Sequence, residues 1–164
     1  MRKFVMLVLL PTITMLGGTG AVTSASAAPS PRLDEGFSLR PNGNANLCLE
    51  VADANTGNGA LVTLWPCTGN PNQKWVFEQN RLRSALPGNK CLDIRSGNTG
   101  DGAAVNTYDC HPGDPQLWRF SGDTLISSLN GKCLSVLANN FAAGAAVVNF
   151  GCNGGRGQSW RTTT

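Results

Sequence analysis

Short runs in which apolar and polar side chains alternate recur along the chain. Residues 46–51, 60–65 and 74–77 are the first three. Alternation with a period of two predicts strands with one face turned to a core. Between the runs lie turn signals: Asn58-Gly59, Asp101-Gly102, Ala143-Gly144, and Asn/Gly/Pro clusters over 68–72, 112–115 and 153–157. One stretch, 136–148, is alanine-rich and by local propensity alone would be helical. Its counterparts elsewhere in the chain contain Asn-Thr-Gly, so it too is expected to run strand, loop, strand.

The pattern repeats three times. Cys48, Cys91 and Cys133 stand 43 and 42 residues apart, and Cys67, Cys110 and Cys152 share those intervals. So do Gln73, Gln116 and Gln158, each two residues before a tryptophan (Trp75, Trp118 and Trp160). The filling agrees as well: Cys-Leu-Glu-Val at 48–51, Cys-Leu-Asp-Ile at 91–94 and Cys-Leu-Ser-Val at 133–136. Units of this size with three or four strands each are expected to close into one threefold all-β body around a shared core, which leaves few free strand edges. A propeller is disfavoured, since such closures ordinarily begin at about four blades. The expected core includes Leu49, Val51, Leu64, Leu92, Ile94, Val105, Leu134, Val136 and Val147. The three periodic tryptophans are expected to pack there, and the three glutamines to bond to backbone in their own repeats.

Three Gln-x-Trp motifs in period, with Cys-Leu-Asp upstream, resemble the ricin B-chain-type lectin domain. The resemblance covers about residues 37–163. It implies a β-trefoil that binds sugars, as isolated domains and as copies attached to secreted bacterial glycosidases.

The beginning of the chain reads differently. Arg2 and Lys3 precede an apolar run, 4–16, and small residues follow from 21 to 28. This predicts a secretory signal peptide over 1–27, cleaved after Ala27, then a flexible stub over 28–36 and one domain over 37–164. The repeats are placed at about 37–79, 80–122 and 123–164. Arg2 and Lys3 account for two of the 13 basic residues, leaving 11 against 10 acidic ones. With no basic stripe, nucleic acid is not an expected partner. No later apolar run is long enough to span a bilayer. An even number of cysteines in an exported chain reads as disulfides. The repeat selects Cys48–Cys67, Cys91–Cys110 and Cys133–Cys152 as structural bridges. A secreted monomer without cofactor is the expectation.

If each bridge joined residues directly opposite on antiparallel strands, Asp93 would face Tyr108, Glu50 would face Trp65 and Ser135 would face Phe150. An acid and an aromatic on one face suit a sugar, because the ring stacks on the apolar C–H face while the carboxylate accepts hydroxyl hydrogen bonds. The resemblance extends this set. It implies an aspartate two residues after the first cysteine, an aromatic two before the second, a polar residue four before the second, and often an asparagine before the Gln-x-Trp glutamine. The second repeat supplies Asp93, Tyr108 and Asn106, with His111 at the rim, but Pro115 stands where the asparagine belongs. In the first repeat Trp65, Thr63 and Asn72 match, and Glu50 replaces the aspartate. The third, with Ser135, Phe150, Val148 and Gly157, reads as a non-binding copy. Asp93 is expected to be exposed; capping a turn or pairing with Arg95 across the surface are the competing roles for it.

Other chemistries fit poorly. His111 is the sole histidine and no free cysteine is expected, so a zinc site has too few ligands. Asp109 and His111 lack a placed serine for a triad. Glu50 and Asp93 belong to different lobes, too far apart for the roughly 5–9 Å that paired glycosidase carboxylates need. Enzymatic activity is therefore not expected. The runner-up function is a secreted trefoil that binds or inhibits a protein through exposed loops such as Asn139-Asn140-Phe141.

Overall fold

The computed structural model describes residues 36–164. The expected signal peptide, and all of the stub but its last residue, lie outside the described residues. Each repeat contributes four strands. The first holds β1 (Ser38–Pro41), β2 (Leu47–Val51), β3 (Ala60–Pro66) and β4 (Trp75–Glu78). The second holds β5 (Arg81–Ser84), β6 (Lys90–Ile94), β7 (Ala103–Asp109) and β8 (Trp118–Ser121). The third holds β9 (Thr124–Ser127), β10 (Cys133–Val136), β11 (Val147–Phe150) and β12 (Trp160–Thr163). The alanine-rich stretch is strand, a short 3-10 turn and strand, as the repeat requires.

Two kinds of antiparallel pairing build the β-trefoil. Within a repeat the middle strands form hairpins, β2 with β3, β6 with β7 and β10 with β11. Between repeats the last strand pairs with the first of the next: β4 with β5, β8 with β9, and β12 back to β1. The β1–β12 ladder brings the two ends of the domain together and closes the ring, which leaves few edges to template aggregation.

All nine aliphatic positions expected in the core are buried. The tryptophans of the three motifs are buried among them, and each indole N–H has a partner. Trp75, Trp118 and Trp160 Nε1 donate to the carbonyls of Leu49, Leu92 and Leu134 at 3.0, 3.1 and 3.0 Å. Each bond ties the last strand of a repeat to the first strand of its hairpin. The bulk of the ring fills the core, and its one polar atom is satisfied without water. The disulfides are Cys48–Cys67, Cys91–Cys110 and Cys133–Cys152.

Replacing Trp118 by Phe leaves the Leu92 carbonyl buried without its donor and opens part of a ring's volume. The expected loss is about 2–3 kcal/mol, read as a lower denaturant midpoint with an unchanged slope. A loss under roughly 0.5 kcal/mol would mean that the indole bond and fit contribute little.

Candidate functional site

The register of each hairpin differs from the expectation by two residues. Cys91 faces Tyr108 and Asp93 faces Asn106. In the first repeat Cys48 faces Trp65 and Glu50 faces Thr63; in the third Cys133 faces Phe150 and Ser135 faces Val148. Bridged cysteines therefore do not sit directly opposite one another, contrary to the expectation. Cys67, Cys110 and Cys152 lie beyond the ends of their strands, so each bridge runs diagonally. A slip of two preserves the face, so acid and aromatic still share one side. They are diagonal neighbours, about 7–8 Å apart instead of about 5 Å, which makes room for a ligand ring between them.

The acids themselves are not exposed as expected. Asp93 and Glu50 are each only 6% accessible, while Tyr108 and Trp65 are 45% and 46% accessible. Arg95 forms no ion pair with Asp93 among the described residues; His111 Nε2 stands 3.5 Å from Asp93 Oδ2 instead.

The acid is held by the glutamine of the motif. Gln116 Nε2 donates to Asp93 Oδ2 and to the Asp109 carbonyl, both at 3.0 Å, while its Oε1 accepts the His111 N–H at 2.9 Å. Gln73 does the same for Glu50 Oε2 and the Pro66 carbonyl, both at 3.0 Å, and accepts the Thr68 N–H at 2.7 Å. The backbone bonds expected of the glutamines are present. The bond to the acid was missed, although the constant spacing of acid and glutamine was a visible signal: Glu50 to Gln73 and Asp93 to Gln116 are both 23 residues. In the first repeat Asn72 Nδ2 adds a second donor to Glu50 Oε2 at 3.2 Å. Among the described residues no hydrogen bond reaches Asp93 Oδ1 or Glu50 Oε1. Burial pushes both carboxyls above their usual range. The amide bonds from Gln116 and, at Glu50, from Gln73 and Asn72 pull them partly back, as does His111 at Asp93.

The sequence-expected residues gather into two dishes. Asp93, Asn106, Tyr108 and His111 line one of about 570 Å³; Glu50, Thr63, Trp65 and Asn72 line another of about 490 Å³. The two acids therefore belong to separate sites. Sequence reasoning missed the contribution of the neighbouring repeat: Asn58 and Gly59 rim the second-repeat dish, and Gly144 rims the first. Missed as well was the turn after the acid, where Asp53, Ser96 and Ala138 occupy the left-handed region at φ 54°, 56° and 53°. The third copy carries the same turn, so it belongs to the repeat itself. Asn106 is buried in its dish, and its Oδ1 has no partner. That oxygen is enclosed by the protein, so Asn106 lines the dish without presenting it to the open side. The third dish is smaller, about 200 Å³, and is lined by Ser135, Val148, Phe150 and Gly157. Ser135 Oγ accepts from Gln158 Nε2 at 2.7 Å and donates to the Cys133 carbonyl at 3.3 Å, so it has little left to offer.

No group of three or more metal-ligating side chains occurs among the described residues, and none of their helices is long and apolar enough to cross a membrane.

Comparison with known proteins agrees with this fold. A designed threefold-symmetric protein, ThreeFoil, is 31% identical, with a TM-score of 0.73 over 80% of this chain and 99% of its own. The β-trefoil lectin of the Vibrio vulnificus hemolysin/cytolysin, solved with N-acetyl-D-lactosamine bound, is 27% identical, with a TM-score of 0.65 over 78% of this chain and 93% of its own. A probable lipoprotein, EnvE, of Salmonella typhimurium strain LT2 is 39% identical over 36 residues, 22% of this chain; the match spans only 21% of that protein. The ricin-type beta-trefoil lectin domain matches residues 81–164, and a ricin-type beta-trefoil lectin domain-like family matches residues 31–108. The chain belongs to the ricin-type β-trefoil lectin family.

Proposed function

We propose that this protein is a secreted, non-catalytic carbohydrate-binding module that takes galactose-like or xylan-like sugars in the dishes of the second and first repeats. One observation carries the reading: in both dishes a buried carboxylate keeps one oxygen free while an exposed aromatic ring stands diagonally across from it. The ring covers the apolar face of a pyranose, and the free oxygen accepts from its hydroxyls. In the second repeat Asn106 adds a polar side chain to the lining; in the first Thr63 and Asn72 do so. His111 closes one side of the second dish. The Vibrio lectin, solved with a bound saccharide, supports a sugar as ligand. Three disulfides and the partial likeness to a lipoprotein support an extracellular or envelope location. The protein acts as a monomer, and two shallow sites on one body favour a polymer through avidity.

In the runner-up protein-binding reading the loop keeps Asn139 and Asn140 exposed. Phe141 is partly buried against the core and packs on Gly43, and Asn139 Oδ1 accepts the Gly157 N–H at 3.0 Å. The Asn139-Asn140-Phe141 loop is thus tied down.

Titrating a galactoside, N-acetyl-D-lactosamine and soluble xylan against the protein should change Trp65 and Tyr108 fluorescence for at least one of them. Silence across all three and across a broad glycan array would end the sugar reading. Trp65→Ala or Tyr108→Ala should each lower apparent affinity for the polymer about tenfold or more, and Phe150→Ala should leave it within about twofold.

Acid should weaken binding early. A carboxylate must be ionised to accept freely, and burial raises both carboxyls, so affinity should begin to fall at a pH above the ordinary carboxylate range. Binding that holds steady until the ordinary range is reached would contradict this.

Asp93→Asn should trade function for stability. The variant keeps an oxygen for Gln116 but removes a buried charge whose ionisation opposes folding at neutral pH. It should lose the second-repeat site and melt higher than the parent at pH 7. At a pH where Asp93 is protonated in both folded and unfolded chains, that advantage should vanish. A lower melting temperature at pH 7 would show that the charge stabilises the fold.

A further inference from the structure

In the first repeat the acid receives two side-chain N–H donors on one oxygen, from Gln73 and from Asn72. In the second, the residue in the place of Asn72 is Pro115, which has no N–H of any kind. We infer that His111 replaces the missing asparagine, with its Nε2–H as the second donor that positions Asp93, from the far side of the glutamine. This rests on the sugar-binding reading of the dish and adds to it the residue that keeps the second-repeat acid in working orientation.

Three observations carry the assignment. Nε2 stands 3.5 Å from Asp93 Oδ2, the same oxygen that Gln116 holds. That is an electrostatic contact longer than a hydrogen bond, and the ring must turn toward Asp93 to close it. The other ring nitrogen is already committed, because Nδ1 accepts the Gly113 N–H at 3.0 Å. A neutral imidazole that accepts at Nδ1 carries its proton on Nε2, so the atom facing the carboxylate is a donor. Finally, Gly113 makes way for the ring. A Cβ there would lie 2.8 Å from both Cε1 and Nδ1 of His111. The backbone at Gly113 has φ −73° and ψ 151°, open to any residue, so it is space and not conformation that favours glycine.

The first repeat shows what the position does without this duty. There Thr68 stands in the place of His111; its Oγ1 accepts the Asn70 N–H at 3.2 Å, and its own N–H is held by Gln73. Threonine keeps the turn, and its hydroxyl also donates to Gln73 Oε1 at 3.2 Å, but it makes no bond to Glu50. His111→Thr is therefore a suitable probe, since it preserves the acceptor for the Gly113 N–H and deletes the donor to Asp93, adding in its place the hydroxyl bond to the glutamine oxygen that Thr68 makes. Adding Pro115→Asn returns a donor by the first repeat's route.

Side-chain carboxyl NMR titration of Asp93, followed on the parent, His111→Thr and His111→Thr/Pro115→Asn, tests the assignment without any ligand. Asp93 should titrate higher in the single variant, because a group that favours its charged form is gone, and should move back toward the parent in the double. Ring nitrogen shifts of the parent at neutral pH should place the proton on Nε2. In parallel, second-repeat amide shifts (106–113) under sugar titration should show affinity falling about fivefold in the single variant and recovering in the double. An Asp93 titration unmoved by His111→Thr, one not restored by Pro115→Asn, or a ring proton on Nδ1 would overturn the inference. Should Asp93 move as expected while no chain binds any sugar, the positioning role stands and the sugar reading is what has failed.

Discussion

Everything in the dishes depends on one buried amide. The glutamine of each Gln-x-Trp motif has three hydrogen bonds to make, and the second and third repeats show how much is asked of it. Gln116 spends its oxygen on the backbone just past the second cysteine and its nitrogen on a strand-end carbonyl and on the acid. Gln158 repeats the arrangement with the Asn153 N–H, the Gly151 carbonyl and Ser135. A fully buried amide with every group satisfied has one orientation. It therefore fixes the end of the hairpin and the direction of the side chain on the adjacent strand at once. The tryptophan two residues later anchors the same segment to the core through its own N–H. The motif is structural throughout, and its product is a carboxylate aimed at the surface.

The same constraint explains why three near-copies differ so sharply in chemistry. Gln158 makes its bonds whether its partner is an acid or Ser135, so the fold tolerates loss of the acid and the third dish retains the scaffold alone. Threefold repetition separates what the barrel needs from what a ligand needs. The seams show a similar freedom. Asn58 reaches into the second repeat, bonding Asp109 at 2.8 Å and accepting from Lys90 at 2.7 Å. In the next seam Asp101 meets Lys132 at 2.7 Å and the Gly151 N–H at 2.9 Å. These partners hold the Asp101 and Asp109 carboxyls below their usual range. The third seam has Ala143 and Leu47 at the corresponding places and is closed by Phe141 on Gly43. Polar and apolar locks alternate on one frame.

Most of the fold was legible because a repeat multiplies weak signals. A single strand such as 46–51 is ambiguous, and the alanine-rich stretch taken alone points to a helix; the period settles both. Disulfide pairing and core positions followed for the same reason. The lining of the dishes was legible in membership but not in geometry. Asp93, Asn106, Tyr108 and His111 do share a dish, yet the register slipped by two, because a cysteine one residue beyond the end of β7 gives no sequence sign that its bridge is diagonal. Burial of the acids was missed on different grounds. Alternation marks which face a residue occupies, but not that neighbouring loops, here Asn58-Gly59 and the left-handed turn at Ser96, rise around that face. Such contacts cross repeats, and no local pattern encodes them.

Burying the acid is the feature that joins stability to function. A carboxylate at the open surface would ionise freely but would be solvated and mobile, and its bond to a hydroxyl would compete with water on equal terms. Sunk beside Gln116, it loses hydration, which raises its proton affinity and costs folding free energy at neutral pH. In return one oxygen is locked and the other points at the dish with little freedom left to lose when a ligand arrives. The exposed aromatic completes the trade from the opposite direction. Tyr108 and Trp65 leave apolar area in water that a core would have hidden, and only a flat apolar face laid against them recovers it. A buried charge and an exposed ring, side by side on one hairpin, each run against the ordinary rule for their residue type. The full pair recurs in two of three copies, while the third keeps an exposed ring, Phe150, without a buried charge; local conflicts of that sort are what the proposed binding role would leave on a fold that does not need them.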